Sequence, residues 1–139
     1  MNTIIITKGL PASGKTTFAK SIVQETNGQT VQVDLNDLRE MTNQNNWSKK
    51  SEHLTQRIRD HIILENLLSG HDVIVDDTNL NPMVEYEIRK RFSKIANIKV
   101  KDFTHVPLET CIDRNSAREQ KVPTDVIIDL HEKYINGKH

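Results

Sequence analysis

A single cysteine, Cys111, stands among 139 residues, which excludes an internal disulfide framework and makes a reducing cytosol the natural compartment. Cys111 lies in a stretch that reads as helix, has no Cys or His near it at metal-ligand spacing, and suits a small buried residue better than a nucleophile. Net charge is missing too. The 19 basic and 19 acidic residues cancel, so nothing calls for a non-specific nucleic-acid coat or a membrane-surface protein. Any anion site must then be local. No apolar run approaches the roughly 20 residues needed to cross a bilayer. The short one at Met1 to Lys8 has no basic segment before it and no small-residue cleavage site after it, so it reads as a strand, and a soluble, cytoplasmic protein is expected. The six histidines, His61 and His131 among them, are scattered, and no zinc site is expected. Internal repeats, low-complexity tails and linkers are absent as well. With 35% hydrophobic residues, the chain suits one domain over 1–139 with one core.

What is present is an alternation of patterns. Thr3 to Thr7 is a β-branched run, followed by a glycine-bearing turn and then Lys15 to Glu25, with Phe18, Ala19, Ile22 and Val23 at helical spacing. Thr30 to Val33 makes a second strand, closed by Asp34-Leu35-Asn36-Asp37, whose side chains suit the cap of a short helix through Met41. Thr42 to Lys50, rich in Asn and Gln, is expected to be a mobile loop. From Ser51 to Ser69, Leu54, Ile58 and Ile62 recur every four residues, which predicts a long amphipathic helix that Gly70 can terminate. Val73 to Val75 suits a strand covered on both faces, and Pro82 opens a helix carrying Tyr86 and Ile88. A fourth strand follows near Ile98 to Phe103. Pro107 introduces a helix reaching about Arg118, and Thr124 can cap a last helix with Val126, Ile127, Leu130 and Tyr134 on one side. This alternation predicts an α/β fold, a parallel sheet of about four strands with helices on both faces. The loops after the strands gather along one edge, where the chemistry should collect.

The first of those loops carries the strongest signal. Gly9-Leu10-Pro11-Ala12-Ser13-Gly14-Lys15-Thr16 fits G-x-x-x-x-G-K-[ST] at every fixed position, between a strand and a helix. Gly9 and Gly14 permit the backbone angles that turn successive N–H groups toward a phosphate, with a helix N-terminus behind them. Lys15 would reach the β- and γ-phosphates, and Thr16 would offer its hydroxyl to Mg²⁺. ATP with Mg²⁺ is therefore the implied cofactor. The loop identifies a nucleotide binder and leaves the reaction open.

Three further segments narrow it: Asp34-Leu35-Asn36-Asp37-Leu38-Arg39, Asp76-Asp77-Thr78-Asn79-Leu80-Asn81-Pro82, and Arg114-Asn115-Ser116-Ala117-Arg118 with Val122-Pro123 beyond. With the loop they resemble, in order and spacing over nearly the whole chain, the kinase domain of the phage 5′-polynucleotide kinase family. The resemblance implies a P-loop kinase fold with a helical lid and transfer of the ATP γ-phosphate to the 5′-hydroxyl end of DNA or RNA, in nucleic-acid end repair. It implies catalytic roles for Lys15, Asn36, Arg39 and Arg118, and a nucleotide site made of Gly9, Ala12, Ser13, Gly14, Lys15, Thr16, Thr17, Arg114 and Arg118. Asn36, Arg39, Asp77, Thr78 and Asn79 would meet the acceptor, Arg39 through the phosphate beside it. Asp77 would hold Thr16 and the Mg²⁺ water shell. Read without the resemblance, Asp77, Thr78 and Asn79 can cap the next helix, Arg39 can be an exposed helix arginine, and Arg114 can be a solvated or ion-paired one.

The family pattern is broken at one position. Three residues before the acceptor-binding arginine the family has an aspartate that takes the proton of the attacking hydroxyl, and here that residue is Asn36. An amide keeps the shape and the hydrogen bonds but cannot take the proton at neutral pH. Three readings follow: a substitution that holds both substrates without turnover, a shift of the base role to Asp34 or Asp37, or a weak nucleotide-binding module. Asp34 lies two residues away on the same face if the strand persists, whereas Asp37 is expected to point elsewhere. A kinase of a small-molecule hydroxyl acceptor remains an alternative. Trp47, beside Lys49 and Lys50, can stack on a base or anchor its loop to the core, and the cluster Arg89, Lys90, Arg91 and Lys94 can be a solvated helix face or a strand-tracking surface.

Overall fold

The four apolar runs lie side by side as one parallel sheet in the computed structural model, which describes residues 1–44, 46–119 and 121–136. The strands are β1 (Thr3–Lys8), β2 (Thr30–Asp34), β3 (Asp72–Asp76) and β4 (Asn97–Asp102), in the order β2-β3-β1-β4. Between and after them run α1 (Lys15–Glu25), α2 (Leu35–Asn43), α3 (Lys49–Leu68), α4 (Pro82–Phe92), α5 (Leu108–Ser116) and α6 (Thr124–Tyr134). This is the P-loop kinase fold that the motifs implied. From β1 the chain passes beyond β3 to reach β2, then returns in the opposite direction to β3. Right-handed crossovers therefore put α1 on one face and α3 on the other.

Side-chain alternation along the strands sorts the faces. Ile4, Ile6, Val33, Val73 and Val75 point into a core closed by Leu35 and Leu38 of α2, Ile63 and Leu67 of α3, and Ile88 and Phe92 of α4. Full burial of residues of this size stabilises by about 1.5–3 kcal/mol each, so this layer fixes where the strand ends lie. Ile74 and Asp76 alternate to the other side, toward α1. A second cluster, Leu10, Leu80, Cys111 and Ile127, packs α5 and α6 onto the loops that follow β1 and β3.

Four expectations change. The buried line of α3 is Thr55, Arg59, Ile63 and Leu67; Leu54 is exposed, and Ile58 and Ile62 are only partly buried beside the core. A hydroxyl pair explains part of the shift, because buried Thr55 lies 2.9 Å from Thr42 Oγ1 of α2. The stretch Thr42 to Lys50 is not one loop: α2 runs through Asn43, and Ser48 with Ser51 forms a reciprocal capping box that starts α3 at Lys49. In α6, Thr124 is the first helical residue rather than its cap, and Val126 faces out. At the start of α2 the expected capping segment does cap, through Asp34, which accepts the Asn36 N–H, but at the start of α4 the cap falls elsewhere: Asn81, not Asp77 to Asn79, accepts the Met83 N–H.

Candidate active site

The loop after β1, the junction of β2 with α2 and the end of α5 line a cavity of about 680 Å³. Ala12, Gly14, Lys15, Thr16 and Thr17 line it from the phosphate-binding loop, Asp34, Asn36 and Asp37 from the end of β2, and Arg114 and Arg118 from α5 and just beyond. Two glycines make the loop possible for different reasons. Gly14 has φ of +110°, where a side chain is strained, while a Cβ on Gly9 would lie 2.7 Å from Ser13 Oγ and 2.9 Å from Phe103 Cβ. Ala12 also takes a left-handed φ of +66°.

Lys15 is folded back into its own loop, donating to the Leu10 carbonyl at 2.6 Å and lying 3.5 Å from Ser13 Oγ. Burial lowers its pKa to about 8, although Asp77 and Asp76 pull the other way. Arg114 donates to the Ser13 carbonyl at 3.4 Å, so it braces the loop from α5.

The carboxylate beside Thr16 is Asp76 and not Asp77. Thr16 Oγ1 donates to Asp76 Oδ2 at 2.8 Å, and Gln32 Nε2 donates to the same oxygen at 2.9 Å. The cause is the strand's period of two: Asp76 continues the Ile74 face toward α1, and Asp77 falls on the opposite face toward α2 and α3. A hydroxyl and a buried carboxylate next to a phosphate-binding loop are the hard oxygen donors that Mg²⁺ takes, so Thr16 and Asp76 fit that ion together with the loop that fits a triphosphate. Asp34 lies in the same cavity; burial and the nearby Asp76 raise its pKa, partly offset by the Asn36 N–H bonded to it. Asp37 also lines the cavity, against the expectation that it points away.

A second cavity, about 420 Å³, opens on the other side of the β3 end. Arg39 lies in it with every N–H direction engaged. Its Nε and Nη2 donate to Glu52 at 2.9–3.2 Å, its Nη2 and Nη1 to Asp77 at 2.8 and 3.1 Å, and its Nη1 also to Asn36 Oδ1 at 3.0 Å. Burial opposes its charge, but the bonds to Asp77 and Glu52 win and hold the guanidinium firmly protonated. Because Asn36 belongs to the first cavity and Arg39 to the second, their bond joins the two.

Thr78 lines this second cavity, and its carbonyl accepts the Gly9 N–H at 3.0 Å. Asn79 also borders it but is 4% exposed, with its Nδ2 on the carbonyls of Thr7, Val75 and Asp77 at 2.7, 3.2 and 3.3 Å and its backbone at φ +46°. Its amide is therefore a clamp within the fold, while the residue still borders the cavity. Trp47 is 69% exposed at the cavity rim, so it does not anchor the connection to the core. Glu52, Gln56 and Arg59 of α3 line the same cavity, and the sequence reading missed all three along with Asp76 and Gln32. The spacing 52, 56, 59 is a helical stripe, visible to anyone who tracks polar residues as well as apolar ones. The basic cluster on α4 is paired at Arg89 with Glu85 and at Arg91 with Asp60. Among the described residues no group of three or more His, Cys, Asp or Glu side chains is placed to hold a metal ion, and no helix is long and apolar enough to cross a membrane.

Comparison with known proteins bears on the fold and the family. A family model described as an AAA domain matches residues 4–135. The L-seryl-tRNA(Sec) kinase of Methanococcus maripaludis is 29% identical over 134 residues, covering 94% of this chain and 52% of that protein. The chain thus spans about half the length of that relative. Among solved structures, a chain of the Pnkp1/Rnl/Hen1 RNA repair complex superposes with a TM-score of 0.80 at 24% identity, over 93% of this chain and 42% of that one. A gluconokinase from Sinorhizobium meliloti 1021 superposes with a TM-score of 0.65 at 14% identity, over 94% of this chain and 73% of that one. Likeness below 25% identity establishes the fold, and the family match goes further: the chain belongs to the AAA domain family.

Proposed function

We propose that the chain phosphorylates the 5′-hydroxyl end of RNA or DNA with the γ-phosphate of ATP. The observation that carries this reading is the Asn36–Arg39 bond, which links a triphosphate-sized cavity to a second one holding an arginine at the distance of one helical turn. An acceptor seated against Arg39 would present its terminal oxygen at Asn36, beside the phosphate-binding loop. The likeness to a chain of an RNA repair complex supports a nucleic-acid acceptor.

When bound, Mg²⁺ with ATP supplies charge neutralisation at the transferring phosphoryl group. The protein's own part is positional. The P-loop N–H groups and Lys15 would hold the donor phosphates and Thr16 and Asp76 the metal; Arg114 and Arg118 line the same cavity and would offset negative charge there. Asn36 orients the attacking hydroxyl through its amide, and the proton leaves to another acceptor, for which Asp34 is suited by its raised pKa and its place in the cavity.

Replacing Asn36 by Asp puts a base where the hydroxyl is held. In an assay that follows labelled γ-phosphate, Asn36→Asp is expected to raise transfer to a 5′-hydroxyl oligonucleotide by roughly 10²–10⁴-fold. No gain, with ATP and oligonucleotide still bound, would remove Asn36 from the reaction. Running gluconate and free nucleosides in parallel tests the small-acceptor reading, which the gluconokinase likeness keeps open at the level of fold.

A further inference from the structure

Arg39 in this structure has no donor left for a substrate. Its five N–H groups divide between Glu52, Asp77 and Asn36, and the guanidinium side chain is 21% exposed. The arginine with its two carboxylates carries a net charge of −1, so an incoming phosphate meets repulsion rather than an open cation. A phosphate can bind there only if one carboxylate gives way.

The two carboxylates are held differently. Asp77 follows directly on β3, and its backbone is tied down: its carbonyl receives the Thr7 hydroxyl at 3.1 Å and the Asn79 amide at 3.3 Å, and its N–H reaches Thr7 Oγ1 at 3.4 Å. Glu52 is in the first turn of α3, on a longer side chain, and makes no side-chain hydrogen bond besides those to Arg39 among the described residues. It takes the Nε–Nη2 edge, which is the planar two-donor edge that suits a phosphate. Gln56 and Arg59, on the same stripe of α3, line the space next to it.

We propose that Glu52 is a specificity-determining residue of the acceptor site: it occupies the phosphate-binding edge of Arg39 as a built-in anion that the phosphate of the acceptor must displace. The inference rests on the reading that Arg39 receives an acceptor phosphate, and it adds that this chain discriminates against that phosphate until Glu52 leaves. Glu52 thereby weakens phosphate-bearing acceptors relative to neutral ones and holds Arg39 aligned while the site is empty.

Binding of two short oligonucleotides with a 5′-hydroxyl tests this, one with ordinary linkages and one with an uncharged methylphosphonate as its first linkage. Glu52→Gln keeps the size and can still accept from Arg39. It is expected to tighten the ordinary oligonucleotide by about tenfold and to change the methylphosphonate one less than about twofold. Glu52→Asp, which keeps the charge, is expected to retain the parent's preference between the two, and affinity for an ATP analogue controls for folding in both variants. If Glu52→Gln tightens neither oligonucleotide, or weakens both, Glu52 is a structural support for Arg39 and the proposal is wrong. If neither oligonucleotide binds the unaltered protein or either variant while the ATP analogue does, the nucleic-acid reading itself has failed and takes this inference with it.

Discussion

Lys15 shows how much a single side chain's environment can set. It is buried with a pKa of about 8, below its ordinary 10.5, because burial disfavours the ammonium. The sign for stability follows: the fold holds a proton less tightly than the unfolded chain does, so Lys15 costs stability below about pH 8 and that cost disappears as pH rises toward 10.5. For nucleotide the sign is opposite. A triphosphate favours the charged lysine, so binding above pH 8 must draw a proton from solution. Calorimetry of ATP binding in buffers of differing ionisation enthalpy should give an uptake approaching one proton at pH 9 and near zero at pH 7, with affinity falling as pH rises through about 8. Uptake near zero at pH 9 would mean that the phosphates do not meet Lys15. Arg39 differs because its charge is secured by two carboxylates, so no comparable titration arises from it.

At the scale of elements, the decisive feature is how the chain leaves β3. Asp76 and Asp77 are neighbours in sequence, yet one serves Thr16 on the α1 face and the other Arg39 on the α2–α3 face. Asn79 keeps that exit in place by spanning three carbonyls, Thr7 of β1, Val75 of β3 and Asp77 just beyond it. Asn79→Ala takes the side-chain donor from the Thr7 carbonyl, leaves those of Val75 and Asp77 with only the Thr7 hydroxyl as side-chain donor, and asks alanine to hold a positive φ, so it should destabilise by about 2–3 kcal/mol in urea unfolding. A change within about 0.5 kcal/mol would instead match a residue that only lines the acceptor cavity. This exit also marks where sequence reading succeeds and where it stops. The span Lys15 to Glu25 matches α1 end to end, because a glycine loop and helical spacing coincide there. All four strands were legible to within one or two residues, since β-branched runs bounded by turns have few alternatives. The choice between Asp76 and Asp77 was not, because both share a type and only the phase of β3 decides between them. The α3 stripe Glu52, Gln56, Arg59 was missed because an apolar count of that helix points to Leu54 and Ile58, and a buried Arg59 paired with Asp60 lies outside what hydrophobic spacing can report.

For the molecule as a whole, the sheet order places three loop ends along one edge, and α5 and α6 close over them through their own small apolar cluster. The result is two cavities separated by the end of β3 and joined through the Asn36–Arg39 bond. Because the chain has no net charge, the proposed recognition of a nucleic-acid end would be concentrated in those cavities, without a general attraction to the backbone. The central claim is thus spatial, and a crystal structure with a non-hydrolysable ATP analogue, Mg²⁺ and a short 5′-hydroxyl oligonucleotide tests it most directly. The account predicts the terminal 5′ oxygen within about 3–3.5 Å of the γ-phosphorus and in line with its leaving oxygen, touching Asn36, with the first phosphate on Arg39. An oligonucleotide bound elsewhere, or a 5′ oxygen held well beyond that distance with both cavities filled, would contradict it.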